Sequence, residues 1–173
     1  MSSARTSRLR PFSRRAVTLV EALIAMLILA GAVVAVSQAV LAGQMQSADA
    51  VHRRRAVELA TTLMEEIVRL PYNDPDGASS PGPEAGESNR SAYDNLDDFH
   101  GFTEAAGALK DMKGAAYDSA YQTFSRSVTV VATSVSIAGL GSAQTGVEIT
   151  VTVTDATGRT WSVEQFIPEP VEP

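Results

Sequence analysis

Glu21 is the residue whose chemistry is hardest to place. It follows Arg14, Arg15, Ala16, Val17 and the triplet Thr18-Leu19-Val20, and no residue from Ala22 to Ala48 carries a charge. A carboxylate at bilayer depth costs on the order of 2.5–3.5 kcal/mol, so it requires a cation beside it or a function that uses its charge. The chemistry available is charge pairing, not bond making. A second group of acids lies farther on, at Asp74, Asp76, Asp94, Asp97 and Asp98. Carboxylates suit a hard cation, so these five could gather around Ca²⁺. Their spacing is not that of an EF-hand, because Gly77 at the sixth loop position puts Tyr72 where the first acid belongs. The plainer reading is that they cap turns and keep a loop soluble.

Neither group comes with catalytic partners. The chain has two His and no Cys, and its Ser residues are scattered through loop sequence, which leaves no nucleophile–base set. Glu65 and Glu66 are adjacent on a helix, so they point about 100° apart. The Gly139–Gly146 stretch lacks the strand–loop–helix setting of a nucleotide site and has no P-loop Lys. The expectation is a protein that is not an enzyme.

The element that must position Glu21 is the apolar run itself. A hydrocarbon core of about 30 Å takes roughly 20 helical residues, and this run is long enough to span it. Charge is divided sharply around it. The first 16 residues carry five Arg, for +5, and the rest of the −6 chain carries −11. Basic before a span and acidic after it places the N-terminus in the cytoplasm and the bulk of the chain outside. It gives no basic patch for nucleic acid. Two other readings of the run exist: a secretory signal peptide cut near Ala30-Gly31-Ala32, and a plain single-pass anchor. Against the first, the run exceeds the roughly 7–15 residues of a signal-peptide core.

Arg14-Arg15, a small residue, an apolar residue, Thr18-Leu19-Val20-Glu21 and an unbroken apolar helix together resemble the class III signal of type IV pilins and type II secretion pseudopilins. The resemblance covers about 30 residues. It implies cleavage between Ala16 and Val17 by prepilin peptidase, methylation of the new amine on Val17, and a mature chain in which Glu21 is the fifth residue. It also implies that Glu21 pairs with the amine of a neighbouring subunit during assembly. Ala16 replaces the family's usual Gly, Val17 replaces its usual Phe or Met, and no Pro occurs between Pro11 and Pro71. The stretches LPYNDPDG, LMEEI and YDNLDDFHG are similar to those of minor pilins. The implied partners are the peptidase, other pilin or pseudopilin subunits and inner-membrane lipid. The rival class is a single-pass anchored binding module that captures a ligand or cation and does not assemble.

The expected organisation follows in order. Residues 1–16 form a leader, 17–47 a transmembrane or filament-core helix, and 48–70 the amphipathic half of that helix. Residues 71–118 form an acidic, loop-rich insertion of net −7, and 119–173 a three-stranded antiparallel sheet with a Pro-rich end. Val57, Ala60, Leu63, Met64, Ile67 and Leu70 mark one helix face. Pro71 stops the helix, and Gly31 and Gly43 are its weak points. One helix over Val17–Leu70 would be about 80 Å long. The run His52–Arg55 reads as a solvated or headgroup-facing turn, or else as a contact between subunits. Val128, Val130 and Ala132 alternate with polar residues, and Val131, Val135 and Ile137 then take the other parity, which suggests a bulge. Val147–Val153 alternate cleanly, Asp155–Gly158 is turn chemistry, and Trp161, Val163 and Ile167 continue a third strand. Three strands bury little by themselves, so the fold class expected is α+β: a long N-terminal helix, transmembrane then amphipathic, packed on a small antiparallel meander.

Overall fold

Thr18 starts the first element. Its Oγ1 accepts the Glu21 backbone N–H at 3.3 Å, and the helix α1 (Leu19–Ile67) begins immediately after it. The structure, a computed structural model, describes residues 18–171 apart from 76, 78–80, 137, 138, 140 and 142. Ala, Leu and Met, all strong helix formers, dominate the first half of α1. The helix passes unbroken through Gly31 and Gly43, and apart from the adjacent residues and the helix's own backbone no described atom lies within 4 Å of where a Cβ would stand at either. The two expected weak points are therefore ordinary exposed helical positions. At the C-terminal end the bonds tighten: Arg69 N–H donates to the Glu66 carbonyl and Leu70 N–H to that of Ile67, just before Pro71. The helix expected to run to Leu70 ends instead at Ile67, and a tighter turn leads to Pro71.

Two compact units divide the chain, one ending at Ser47 and one running Ala48–Pro173. In the first, every described residue is exposed except the half-buried Ala22. In the second, the C-terminal part of α1 buries Ala56, Leu59, Ala60, Leu63, Met64 and Ile67. This face is turned slightly from the expected one. Val57 is 40 % exposed, while Ala56 and Leu59 hold the seam.

The sheet has four strands, not three. β1 (Thr103–Glu104), β2 (Phe124–Ser136), β3 (Ala143–Asp155) and β4 (Thr160–Pro168) lie in the order β1-β2-β3-β4, all antiparallel. β1 has two residues, too few for any periodicity to register. The expected bulge in β2 is absent. Pairing runs without a break from Phe124↔Asp155 to Ser136↔Ala143. The change of parity marks instead the end of the core: Phe124, Val128 and Val130 are buried, whereas Val131 is 50 % and Val135 38 % exposed. Ile137 lies outside the described residues. The tight β3–β4 turn closes through Gly158, whose φ of +84° favours glycine.

The insertion 71–118 contributes more than surface loop. Leu96, Phe99 and Leu109 are buried in the core with α1 and the sheet. Tyr93, Phe99 and Phe102 meet edge to face, with Tyr93 and Phe99 centroids 5.0 Å apart. Within Tyr93–Gly101 the polar side chains supply the local structure. Asp98 Oδ2 accepts the N–H groups of Asp94 and Asn95, and Asn95 Oδ1 accepts those of Asp97 and Asp98. His100 Nδ1 then accepts the Val130 N–H at 3.2 Å and fastens the segment to β2.

Candidate functional site

The carboxylate on which the sequence turns sits in the first turn of α1, exposed, with Thr18 capping its own backbone. Thr-x-x-Glu is the capping-box pattern, and the positive end of the helix dipole favours an acid there. The capping bond is made by the Thr18 hydroxyl and the Glu21 backbone, and the Glu21 carboxylate itself is left to the helix dipole and to any pairing. Beyond it stretch Leu23, Ile24, Leu27, Ile28 and Leu29, each more than half exposed. Mean hydropathy reaches 2.7 over eighteen residues. This is a helix near the N-terminus long and apolar enough to cross a membrane. Arg14, Arg15, Ala16 and Val17, the expected processing site, lie outside the described residues.

The head holds two charge assemblies that pattern reading did not assemble. In the first, Arg126 points into the core from β2, on the same face as Phe124 and Val128, and its side chain is fully buried. It donates to Glu104, to the Lys110 carbonyl at 2.6 Å and to the Leu59 carbonyl at 3.5 Å. Glu104 stands directly opposite in the β1–β2 register. Arg90 joins Glu104 at 3.4 Å to Glu66 of α1, and it also donates to the Lys110 carbonyl. Glu66 therefore turns inward while its neighbour Glu65 stays exposed, as their angular separation requires.

The second assembly is a clasp at the β3–β4 turn. Asp155 Oδ1 accepts from Thr157 Oγ1 at 2.6 Å and from the Thr157 and Arg159 amides. Oδ2 accepts from Arg159 Nε at 2.9 Å and faces His52 Nε2 at 3.0 Å. A carboxylate only accepts, so Nε2 carries the imidazole proton here. The Thr157 hydroxyl, with the Arg159 and His52 donors, holds the Asp155 carboxyl far below the usual carboxylate range. His52 also lies tilted over Phe124 and edge-on to Trp161, with centroids 4.5 and 5.8 Å away. Arg159 reaches on to Asp49. The two His side chains are thus engaged with a carboxylate and a backbone amide. Of the run His52–Arg55, His52 is part of this clasp and Arg55 lies over the Tyr121 ring at 5.9 Å, while Arg53 and Arg54 are exposed.

The five Asp residues proposed for a cation behave differently from one another. Asp76 lies outside the described residues. Asp74 Oδ1 accepts the Gly77 N–H, an ordinary turn-capping role. Asp94 contributes its amide to Asp98, and Asp97 is half-buried with its carboxyl shifted upward by burial and by the charges of Asp98 and Asp74. Among the described residues only Asp98 belongs to a set with metal-binding geometry, and its companions are Glu84 and Glu87. One oxygen from each of the three lies within 4.8 Å of the others. Glu84 and Glu87 come from a stretch that reads as polar loop. Their three-residue spacing is the only sequence sign of the pair, and it recurs too widely to single them out.

Comparison with family models of known proteins, with curated proteins and with solved structures gives no match.

Proposed function

We propose that this chain is a structural subunit of a pilin-type filament, of the minor pilin or pseudopilin kind, made as a single-pass inner-membrane protein with its head outside. The observation that carries the reading is that the N-terminal part of α1 is exposed and apolar and has one carboxylate, Glu21, in its first turn. Such a surface needs lipid or like helices around it, and an acid taken into that apolar surrounding needs a cation. Cleavage after Ala16 would supply that cation as the amine of Val17, borne by the next subunit. Retention in the filament then comes from apolar helix packing, and no catalysis is involved.

Mass spectrometry of the mature N-terminus, from membranes containing a prepilin peptidase, tests this directly. A chain beginning at Val17 and heavier by one methyl group is expected. A start near Val33 would identify a cleaved signal peptide, and an intact leader would identify a plain anchor; either result rejects the filament subunit.

One observation favours a second reading, an anchored binding module: Glu21 stands in the first helical turn, where the helix dipole favours an acid without any neighbouring subunit. Glu21→Gln separates the two, because Gln still serves a capping box but carries no charge. The filament reading expects incorporation into filaments to be lost while the protein still accumulates in the membrane. Normal incorporation of this variant would favour the anchor.

A further inference from the structure

Three basic side chains from two elements of the head line one cavity of about 410 Å³. His52 and Arg55 come from α1, and Asp155, Thr157 and Arg159 from the β3–β4 turn, with Thr123 just ahead of β2. We infer that this cavity binds a phosphate group, with Arg55 and Arg159 as its principal ligands. The inference concerns the head alone and holds whether or not the chain assembles.

Arg55 is the decisive residue. It is half-buried, its guanidinium lies 5.9 Å from the centroid of the Tyr121 ring, and among the described residues it makes no ion pair and no hydrogen bond. The other arginines withdrawn from the surface are spent: Arg90 on Glu66 and Glu104, Arg126 on Glu104 and the Lys110 carbonyl. Glu58, the acid nearest to Arg55 along α1, accepts instead from the Tyr121 hydroxyl at 3.0 Å. Contact with an aromatic ring leaves the five N–H donors of a guanidinium unused, and a charge drawn partly out of water without an acceptor is costly. An anion in the cavity removes that cost.

The one acid on the cavity wall is already engaged. Asp155 accepts through both oxygens, from Thr157, Arg159 and His52, so its charge is matched within the clasp. Arg159 donates Nε to Asp155 and one terminal nitrogen to Asp49. Its other terminal nitrogen has no acceptor among the described residues. The Thr123 hydroxyl is exposed and likewise makes no hydrogen bond among the described residues. Arg53 and Arg54 are exposed beside Arg55 in the chain, well within a Debye length of about 10 Å at 0.1 M salt, and add to the attraction for an anion.

The donor set chooses the ligand. A guanidinium fork matches the oxygens of a carboxylate or a phosphate. A carboxylate offers two oxygens in one plane, whereas a phosphate presents oxygens on several sides and so can meet Arg55, Arg159 and Thr123 together. One water takes about 30 Å³, so the cavity has room for a phosphate group and several waters. Two sources share this chemistry: inorganic phosphate in solution, and the headgroup of an anionic phospholipid. The second rests on the single-pass reading, in which Arg55 follows Ser47, the end of the apolar unit, by eight positions in sequence.

The sole Trp of the chain, Trp161, lies beside both Arg159 and His52 and reports on the cavity by its fluorescence. The test uses the full chain in non-ionic detergent at constant ionic strength. Inorganic phosphate replaces chloride in one arm, and phosphatidylglycerol is added to the micelles in the other, with calorimetry in parallel. A saturable change corresponding to one phosphate group per chain is expected. A response to inorganic phosphate assigns the site to soluble phosphate, and a response to phosphatidylglycerol alone assigns it to the lipid headgroup. Arg55→Gln should weaken binding about tenfold or more. Arg69→Gln removes the same charge from an exposed position just past α1 and should bind as the unaltered chain does. Arg55→Gln breaks no ion pair, so its melting temperature should stay near that of the parent. Arg55→Lys, which keeps the charge and loses the fork, should also bind more weakly than the parent, so the result does not depend on one variant. No saturable change in either arm overturns the site. Undiminished binding in both Arg55 variants overturns it equally, and so does an equal loss in Arg69→Gln, which would mean attraction to charge without a site.

Discussion

The two units of this chain invert each other. In the unit ending at Ser47, leucines, isoleucines and valines stand exposed along α1, and one acid is the sole charge on the described part. In the unit Ala48–Pro173, Arg126, Asn95, Asp98 and Asp155 are buried while many aliphatic residues are only partly covered. The usual expectation, apolar inside and charged outside, fails in both directions. The first unit is incomplete by itself: its surface suits lipid or other helices and not water. The second pairs its buried Arg126 internally, in a network with Glu104, Arg90 and Glu66. A domain so balanced derives its order from polar geometry as well as from its apolar core.

The comparison breaks most visibly at Arg126. Removing one member of a buried ion network costs about 3–5 kcal/mol, so Arg126→Met should destabilise the head by that amount. Urea denaturation of the full chain in detergent, followed by the fluorescence of Trp161, reads this; an unchanged midpoint would mean that the network contributes nothing. Next comes a matched pair of truncations. Leu63 is 0 % exposed and Leu27 is 76 % exposed. Leu63→Ala should cost about 2–5 kcal/mol of head stability, whereas Leu27→Ala should leave the same transition where it was. Equal effects would show that the units are not energetically distinct.

A smaller effect is expected at Gly146, opposite Pro168 in the β3–β4 register. A Cβ there would collide with the Ile167 carbonyl and approach the Phe166 ring at 2.7 Å, so Gly146→Ala should cost about 1–3 kcal/mol. Thermal melts would settle it, and a variant as stable as the parent would mean that β4 can shift aside.

The smallest effect is expected from acid acting on the clasp. Asp155 titrates far below its ordinary value of 3.8 when folded, because Thr157, Arg159 and His52 donate to its charged form. Its contribution is therefore complete above that value and fades as pH falls toward the folded pKa. Melting temperatures of the parent and of Asp155→Asn, compared from pH 7 down to pH 3, should converge as acid is added. Glu84 has the opposite sign. Raised to about 7, it contributes stability below the ordinary value of 4.5 that is lost as pH rises through about 7.

What the sequence discloses divides along the same line. α1, the alternation of β3 and the Asp155–Gly158 turn are legible because each is a local pattern, repeating every two to four residues or set by turn chemistry. The charge assemblies are not, because their members meet only after folding. Arg126 and Glu104 are 22 positions apart, and Arg90 and Glu66 are 24 apart. β1 has no periodicity to read, since it consists of one pair of residues and owes its place to Glu104 facing Arg126. Val57 misleads for a related reason: at three- and four-residue spacing two neighbouring faces fit nearly as well, and the packing of Ala56 and Leu59 decides between them. Among the acids, sequence supplied Asp98 but not Glu84 or Glu87, because neither the fold of the loop nor the burial of one oxygen is written in spacing.

The clasp at His52 also has a mechanical meaning. A pull arriving along the helix toward the head would meet the Asp49–Arg159 bond and then the His52–Asp155 bond, both anchored on one hairpin turn. Asp155 is paired across to Phe124, the first of thirteen successive rungs joining β2 to β3. Load entering there would reach the terminal rung of that ladder, so Asp49 and His52 tie the first helical turns of the head to the sheet.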